Sequence, residues 1–297
     1  MTSVSIDFDK LSHFPPKEED VSYTARDTIL YALGIGLGFE PADERQLRFV
    51  YERNLIAFPT IAMAIGHPGW WLGAAGLDPE RVVHAAKRME VLAPMPSEGT
   101  IHTRSVVTGV VDKGTGKAAL IHTRRDIWDK PTGRHLSRQL NTIMARGQGG
   151  FGGPNAPAPA PLAMPGRAPD LIGDMPTLPQ QALLFRLSGD IHPVHVDPAF
   201  ARRSGFQRPV LHGLATMAIA AHSVLREVCA YDVARVSAVE CRFMKPVFPG
   251  DVISTEMWIK DTQVLFQCRV RARDEIVIGS GLLELRSGPP GDHLAIK

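Results

Sequence analysis

A stretch rich in glycine and proline, residues 147–169, constrains the fold of this 297-residue chain more than any other feature. Its glycines give way to alternating alanine and proline, which favours an extended connector over a helix or strand. It lacks the Lys-Ser/Thr pair and the following helix pattern of a phosphate-binding loop. We therefore predict an N-terminal domain at residues 1–148, a linker at 149–170, a C-terminal domain at 171–288 and a tail at 289–297.

The two halves share one order of predicted elements, a helix followed by strands. In the first half, Thr24 and Asp27 have the spacing of a capping box that opens a helix. In the second half, apolar residues three and four apart from Leu214 to Val228 predict an amphipathic helix. Runs rich in β-formers, parted by turn residues, predict strands over 101–111, 118–128 and 136–144, and over 236–247, 252–259, 264–273 and 275–285.

Prolines at matching places suggest that the halves are copies of one unit. Pro59 precedes Pro94 by 35 residues, and Pro209 precedes Pro246 by 37. An apolar helix is predicted to follow the first proline of each pair. Two degenerate copies of one α+β unit, each with a helix on one face of an antiparallel sheet, account for this pattern.

The segment Phe185–Pro198, FRLSGDIHPVHVDP, holds the densest group of chemistry-bearing residues. Pro193 would interrupt a strand or a helix, so the segment is predicted to be a rigid, irregular loop of the kind that holds catalytic groups. Asp190 and His195, five residues apart, can converge across it as an acid–base pair. The alternative is a turn-forming aspartate and a histidine satisfied by a hydrogen bond. A metal site built on Asp190, His192 and His195 is disfavoured, because neither the helical i, i+4 histidine pair nor a nearby thiolate is present.

This loop resembles the hydratase 2 motif of the MaoC-like family. The resemblance is carried by LSGDIHPVHVDP at 187–198 and RPVLHG at 208–213, and extends over roughly residues 20 to 286. Within the family, the chain is most similar to the (R)-specific hydratase domain of peroxisomal multifunctional enzymes of type 2. Further matching segments are Tyr31–Gly34, Gly149–Gly153 and Arg242–Gly250.

The resemblance implies a double hotdog fold, in which each half wraps an antiparallel sheet around a long helix and the degenerate N-terminal half helps to form the acyl tunnel. It implies a lyase that hydrates trans-2-enoyl-CoA to (3R)-hydroxyacyl-CoA, and reverses the step, in the β-oxidation of fatty acids or steroid side chains. Asp190 and His195 would activate the water and deliver its proton, and the Gly213 N–H would hold the thioester oxygen. No cofactor or metal is expected beyond the CoA of the substrate. A homodimer is also expected.

The chain departs from the family pattern at one catalytic position, where His192 replaces the asparagine that helps to hold the water. A tolerated substitute, a shifted substrate preference and weakened catalysis all remain open. Other residues are candidates for contact with the acyl group or with CoA because of their charge or their place in the motifs. They are His84, Lys87, Arg208, Leu211, His212, Arg242, Phe243 and Lys245.

Composition excludes several other classes of function. A net charge of +2, from 33 basic and 31 acidic residues spread along the chain, gives no footprint for nucleic acid. No apolar run has the length of a membrane span. Three cysteines without metal-ligand spacing fit a reducing compartment, so a cytoplasmic protein is expected. A hotdog acyl-CoA thioesterase and a weakly active or non-catalytic acyl-CoA-binding subunit remain as rival functions.

Overall fold

The structure, a computed structural model, describes residues 6–156 and 160–287. The N-terminal half contains three helices and five strands, namely α1 (Phe8–Ser12), β1 (Lys17–Tyr23), α2 (Ala25–Gly34), α3 (Glu44–Val50), β2 (Val82–Val91), β3 (Gly99–Asp112), β4 (Ala119–Asp129) and β5 (His135–Ala145). The C-terminal half again contains three helices and five strands, namely β6 (Leu171–Pro176), α4 (Gln181–Phe185), α5 (Pro198–Arg203), α6 (Gly213–Cys229), β7 (Val236–Phe243), β8 (Val252–Lys260), β9 (Gln263–Val270) and β10 (Glu275–Leu285). Short 3-10 turns complete the list.

All ten strands form one antiparallel sheet, in the order β1-β3-β4-β5-β2-β7-β10-β9-β8-β6. Read from the outer edge of the sheet to its centre, the strands of each half lie in the same order, namely first, third, fourth, fifth and second. The second strands, β2 and β7, pair at the centre, with residues 86–90 opposite 238–242. This identical order in both halves confirms the predicted repeat and the double hotdog architecture.

The predicted strands in the two halves are confirmed, with small changes at their ends. β7 ends at Phe243, earlier than the predicted 247, and the chain bends at Lys245, just before Pro246. β9 ends at Val270, and a 3-10 turn, Arg271–Arg273, precedes β10. The helix that begins after Thr24 is also confirmed, and the Asp27 carboxylate accepts hydrogen bonds from the Thr24 N–H (2.8 Å) and hydroxyl (2.7 Å).

Among residues 6–156 and 160–287, the long helix expected in each half is present only in the C-terminal half. There, α6 runs for 17 residues and most of its side chains are buried in the main core. After Pro59 the chain forms instead the 3-10 helix Pro59–Met63, and Gly66 and Gly69 then adopt positive φ angles of 64° and 61°. Glycine adopts this backbone readily and Pro68 lies between the two, so the chain turns where a helix would have continued. The inner face of the N-terminal sheet therefore lacks a covering long helix.

The start of the linker is held against the N-terminal half. The N–H groups of Gly150 and Gly152 donate to the carboxylate of Asp112, at 2.7 and 2.9 Å. The described part of residues 149–170 contains no helix or strand. The tail predicted at 289–297 lies outside the described residues. Across the ranges 6–156 and 160–287, no helix has both the length and the apolar character needed to cross a membrane.

Candidate active site

A cavity of about 830 Å³ opens between the two halves. Asp190, His195 and Gly213 from the C-terminal half all line it, so the structure brings the predicted catalytic group together at one surface. The N-terminal half supplies the opposite wall, including Trp70 and Trp71. Most of the remaining wall is apolar, which suits an acyl chain.

The loop that carries Asp190 is fixed by its contact with the N-terminal half. Gly189 has a φ of 137°, and a Cβ at this position would lie 2.5 Å from the Ala64 carbonyl oxygen. Only glycine allows the two backbones to approach so closely. The 3-10 turn Pro193–His195 follows, with proline at its first position. The loop is therefore irregular and held in place, as the two prolines predicted.

Asp190 is 8% exposed, and its carboxylate accepts a hydrogen bond from the His192 N–H at 3.3 Å. Burial opposes its charge, but neighbouring imidazoles outweigh burial and hold the pKa of the carboxyl well below its usual range. These imidazoles belong to His67, His84, His195 and His212. The direction of this shift and the hydrogen bond from the His192 N–H both favour the ionised carboxylate, which can only accept hydrogen bonds.

The ring of His195 is oriented by the backbone carbonyl of Val210, which accepts a hydrogen bond from Nδ1 at 2.8 Å. A carbonyl oxygen only accepts, so Nδ1 carries the proton and Nε2 of the neutral ring keeps its lone pair. Burial lowers the pKa of His195, and the nearby carboxylate of Asp190 opposes this shift. The ring is therefore neutral at physiological pH and can accept a proton.

Asp190 and His195 lie close enough together to contact one water molecule. A carboxylate oxygen of Asp190 and a ring nitrogen of His195 lie within 4.8 Å of each other. Two hydrogen bonds of about 2.8 Å that meet at a tetrahedral oxygen span roughly 4.6 Å. Two acceptors at this distance can bind both protons of a water and leave its oxygen lone pairs for attack.

Gly213 is the first residue of α6, and it lines the cavity. Its N–H belongs to the first turn of the helix, where no helix carbonyl is available to accept. The positive end of the helix dipole lies at the same place and favours negative charge on a ligand oxygen. The ring of Phe243 lies 3.4 Å from the position that a Cβ would take, so a side chain here would contact the cavity wall.

His212, predicted to contact the substrate or CoA, lies instead behind the catalytic histidine. It is fully buried, it is not part of the cavity wall, and its ring stacks on that of His195 with centroids 3.6 Å apart and planes 22° apart. Nε2 hydrogen bonds to the Asp190 carbonyl oxygen at 3.0 Å. This histidine therefore supports both catalytic residues. Stacked imidazoles direct their in-plane lone pairs along nearly parallel planes, which does not suit convergence on one metal ion.

His192 lines the cavity, but both of its ring nitrogens have backbone partners. Nδ1 accepts from the Val194 N–H at 3.4 Å, and the ring also hydrogen bonds to the Pro79 backbone. It makes edge contacts with Trp70 and Phe200, at centroid distances of 6.1 and 5.3 Å. The ring of His192 is therefore held by backbone groups, and it contributes an aromatic side chain to the cavity wall.

The other predicted contact residues divide into two groups. Two of them, Arg208 and Arg242, lie away from the cavity wall. Arg208 is exposed and its guanidinium lies over the ring of Phe248. Arg242 lies on the sheet face opposite to its neighbour Phe243, since successive side chains of a strand alternate. The predicted residues that do line the cavity are His84, Lys87, Leu211, Phe243 and Lys245.

Sequence reasoning missed several polar residues of the N-terminal wall. His67 lines the cavity, interacts electrostatically with Asp190, and has a pKa lowered to about 4 by burial. Arg125 and Gln139 also line the cavity, although they are 3% and 1% exposed. The available signal was a polar residue at a position that the alternation of a predicted strand assigns to the buried face.

Comparison with known families covers both halves of the chain. The model described as the MFE-2 hydratase 2 N-terminal domain matches residues 21–147, and the model of the MaoC like domain matches residues 161–279. The chain is 35% identical over 292 residues to a probable enoyl-CoA hydratase 2 of Dictyostelium discoideum, across 94% of this chain and 96% of that protein.

Solved structures give the same result for the fold. A MaoC-like dehydratase from Phytophthora capsici is 30% identical, with a TM-score of 0.82 over 98% of this chain and 100% of that chain. A Mycobacterium tuberculosis protein described as having a double hotdog fold has a TM-score of 0.62 at 18% identity, over 96% of this chain and 99% of that chain. The second likeness concerns the fold alone.

Proposed function

This chain belongs to the hydratase 2 branch of the MaoC-like family, and from that premise we propose that it adds water across the double bond of trans-2-enoyl-CoA thioesters to give (3R)-hydroxyacyl-CoA. The enzyme is a hydro-lyase. The observation that carries the proposal is the placement of Asp190 and His195 within 4.8 Å of each other on an acyl-sized cavity that the first residue of α6 also lines.

The geometry supports one sequence of events. The Asp190 carboxylate and His195 Nε2 bind a water, and its oxygen attacks C3 as one of its protons passes to the pair. Electron density moves through C2 to the thioester oxygen, which the Gly213 N–H stabilises. The proton then returns from the pair to C2, so that O–H breaks while O–C3 and C2–H form. Because both additions come from one face, addition is syn.

Each part of this arrangement has a known scale of effect. Acid–base catalysis by a positioned side chain contributes roughly 10²- to 10⁴-fold to the rate. One hydrogen-bond donor to a developing oxyanion contributes on the order of 10²- to 10³-fold. The chemistry needs no redox group, and the stacked imidazoles at the site do not converge on an ion. We therefore include the absence of a cofactor in the proposal.

A spectrophotometric assay tests the proposal. Purified protein is incubated with crotonyl-CoA and with longer trans-2-enoyl-CoAs, while the conjugated enoyl absorbance and the release of free CoA are followed separately. Loss of the enoyl absorbance with formation of the (3R)-hydroxyacyl product and without free thiol is expected. Release of CoA without hydroxyacyl product would instead identify a thioesterase. Binding without turnover would identify an acyl-CoA-binding subunit.

The compartment and the assembly state belong to the same proposal. A cytoplasmic location is supported by the three cysteines, which are all unpaired and buried. A homodimer is supported by the resemblance to the family. Size-exclusion chromatography with light scattering should give a mass of about twice the 32.4 kDa of the chain, and a monomer mass would contradict the dimer.

A further inference from the structure

The inner face of the N-terminal sheet carries a patch of polar side chains that faces the cavity. Strand register places Ser105 opposite Arg125, Arg125 opposite Gln139, and Asn141 opposite both Thr123 and Lys87. We call these six residues the inner polar patch, and all of them line the cavity. A sheet that packed against a long helix would present apolar residues here. The patch is therefore a feature of the cavity and not of the core.

Two members of the inner polar patch are buried cations. Lys87 is 5% exposed, and its Nζ donates to Gln139 Oε1 at 2.8 Å and to Asn141 Oδ1 at 2.6 Å. Arg125 is 3% exposed; it donates to the carbonyls of Ala62 and Ile65, at 3.2 and 2.6 Å, and its Nε has no partner. Within residues 6–156 and 160–287, neither cation forms an ion pair with a carboxylate. The Lys87 ammonium also has a third proton to donate.

Buried charges without a counter-ion are costly, which makes this arrangement informative. Burial lowers the pKa of Lys87 to about 7 and that of Arg125 to about 9. Asp190 is near enough to raise the pKa of Lys87, but the reaction uses that carboxylate. Glu19 acts on Arg125 from the exposed edge strand β1. Two cations thus face a cavity whose own wall supplies one carboxylate, so the site has unused capacity for an anion.

The position of the inner polar patch indicates which part of the substrate would reach it. Lys87 lines the same cavity as Asp190, and the two side chains are near enough to interact electrostatically, so Lys87 faces the part of the cavity where the double bond would react. The phosphates of CoA are separated from the thioester by the long pantetheine arm, so they cannot lie at the reacting carbons. An anion bound at Lys87 and Arg125 must therefore belong to the acyl group.

Building on the hydratase function, we propose that the inner polar patch binds a carboxylate carried by the acyl chain a few bonds beyond C3, so that the preferred substrates are enoyl-CoA thioesters of dicarboxylic acids. The carboxylate accepts from the free proton of Lys87 and from the Arg125 guanidinium. Charge-assisted hydrogen bonds of this kind are stronger than neutral ones. The patch then acts as a specificity determinant for the chain end, while Asp190 and His195 act on the double bond.

Binding of unreactive ligands tests this inference without reference to catalysis. Hexanoyl-CoA and 5-carboxypentanoyl-CoA differ only in the terminal carboxylate, and their Kd values for the wild-type protein are measured by calorimetry. We expect the carboxylated thioester to bind at least tenfold more tightly, and Lys87→Met to reduce that preference to within twofold. Lys260→Met removes an exposed cation outside the cavity and should leave the ratio of the two Kd values unchanged. Equal binding by the wild-type protein, or tighter binding of hexanoyl-CoA, overturns the inference.

Turnover separates this inference from the proposed function. The wild-type protein is assayed with trans-2-hexenoyl-CoA and with the same acyl chain ending in a carboxylate, and the ratio of the two kcat/KM values should fall at least tenfold in Lys87→Met. Arg125→Gln provides a second variant if Lys87→Met fails to fold, as judged by circular dichroism. Selective binding without hydration of either thioester would sustain the patch and refute the hydratase. Hydration of both thioesters with an unchanged ratio of kcat/KM values in both variants would sustain the hydratase and refute the patch.

Discussion

At the residue scale, Asp190 provides the negative charge of the active site, and the histidine side chains of the site surround it. Its carboxylate is ionised, it acts electrostatically on four imidazoles, and its backbone carbonyl accepts from His212. Replacing Asp190 by asparagine, which has the same shape but no charge, tests this role. Asparagine at this position would keep the volume, but it would neither stay an anion nor exchange a proton with the water.

We expect Asp190→Asn to reduce kcat by about 10³-fold, within the range attributed to acid–base groups. KM for a long enoyl-CoA should change far less, because most of the cavity wall is intact. The matched control is Asp197→Asn in the same loop. The Asp197 carboxylate caps α5 by accepting from the Ala199 and Phe200 N–H groups, a role that asparagine performs about as well. Near-normal turnover by Asp190→Asn would refute the assigned role.

The second prediction at this scale concerns His192, the departure from the family pattern. Its ring accepts a hydrogen bond from the Val194 N–H and also hydrogen bonds to the Pro79 backbone. Asparagine can accept from a backbone N–H two residues further on, so it can replace the first of these contacts. His192→Asn should therefore keep kcat/KM for enoyl-CoA within roughly tenfold of wild type, about 1.4 kcal/mol in barrier. A larger loss in a steady-state assay would show that the imidazole takes part in the reaction.

At the element scale, the catalytic loop depends on one close backbone contact. Gly189 has a φ of 137°, and a Cβ added at this position would lie only 2.5 Å from the Ala64 carbonyl oxygen. Gly189→Ala must move the loop away from the N-terminal half, and Asp190 moves with it. We expect a loss of about 1–3 kcal/mol in unfolding free energy from the strained backbone, together with at least a tenfold loss of kcat.

Gly99→Ala separates the two causes. Gly99 also has a strongly positive φ, 147°, but a Cβ there would meet nothing within 4 Å. This variant should lose stability through backbone strain alone and keep its turnover. Urea denaturation and enoyl-CoA hydration measured on both variants provide the comparison. Equal loss of kcat in the two variants would show that the contact with Ala64 does not position the loop.

The elements of the fold that could be predicted are those that leave a recognisable pattern within a short stretch of sequence. The hairpin strands and α6 were predicted because β-rich runs between turns and a helical apolar stripe are local signals. β1, β2 and β6 were missed. β1 and β6 lie at the two edges of the sheet, and KEEDVSY in β1 is mostly polar. β2 lies at the centre of the sheet, but HAAKR interrupts its apolar residues. A long helix after Pro59 was wrongly predicted, because IAMAI at residues 61–65 is as apolar as a buried helix would be.

The catalytic pair could be predicted because it lies within one short loop, with Pro193 between its two members and Pro198 after them. His212 and Lys87 were named as substrate contacts, but the partners that they have in the structure could not be predicted, since these contacts are purely tertiary. His212 contacts His195 across 17 positions of sequence, and Lys87 joins the cavity through the pairing of distant strands. At both places the sequence contained the residue type but no local pattern that assigned its partner.

At the scale of the whole molecule, the cavity needs both halves. Asp190 and His195 come from the C-terminal half, while the inner polar patch comes from the N-terminal half. The β2–β7 pairing joins them, and the Arg88 guanidinium reinforces it by donating to Glu240 at 2.9 Å and to Glu284 at 3.1 Å. The N-terminal half leaves an open space where it has no long helix, and the catalytic loop of the C-terminal half faces this space. The two features are thus complementary.

Another property of the whole molecule is its number of buried histidines. Burial lowers the pKa of His67 and His222 to about 4, and that of His84 and His212 to about 3. The same side chains titrate near 6.5 in an unfolded chain. Between these values the unfolded chain binds protons that the folded chain does not. The free energy of unfolding should therefore fall as pH is lowered from about 6.5 towards 4.

His222→Gln tests this dependence away from the cavity. His222 is 1% exposed in α6, where its ring nitrogens hydrogen bond to the Ile35 carbonyl and the Tyr231 hydroxyl, both at 3.1 Å. Each such histidine contributes up to about 1.4 kcal/mol per pH unit to the slope of stability against pH. Guanidinium denaturation at pH 6.5, 5.5 and 4.5 should give a slope smaller by that amount in the variant. If His222→Gln leaves the slope unaltered, the buried ring gains a proton as easily as a hydrated one, and its burial does not govern the acid stability of this enzyme.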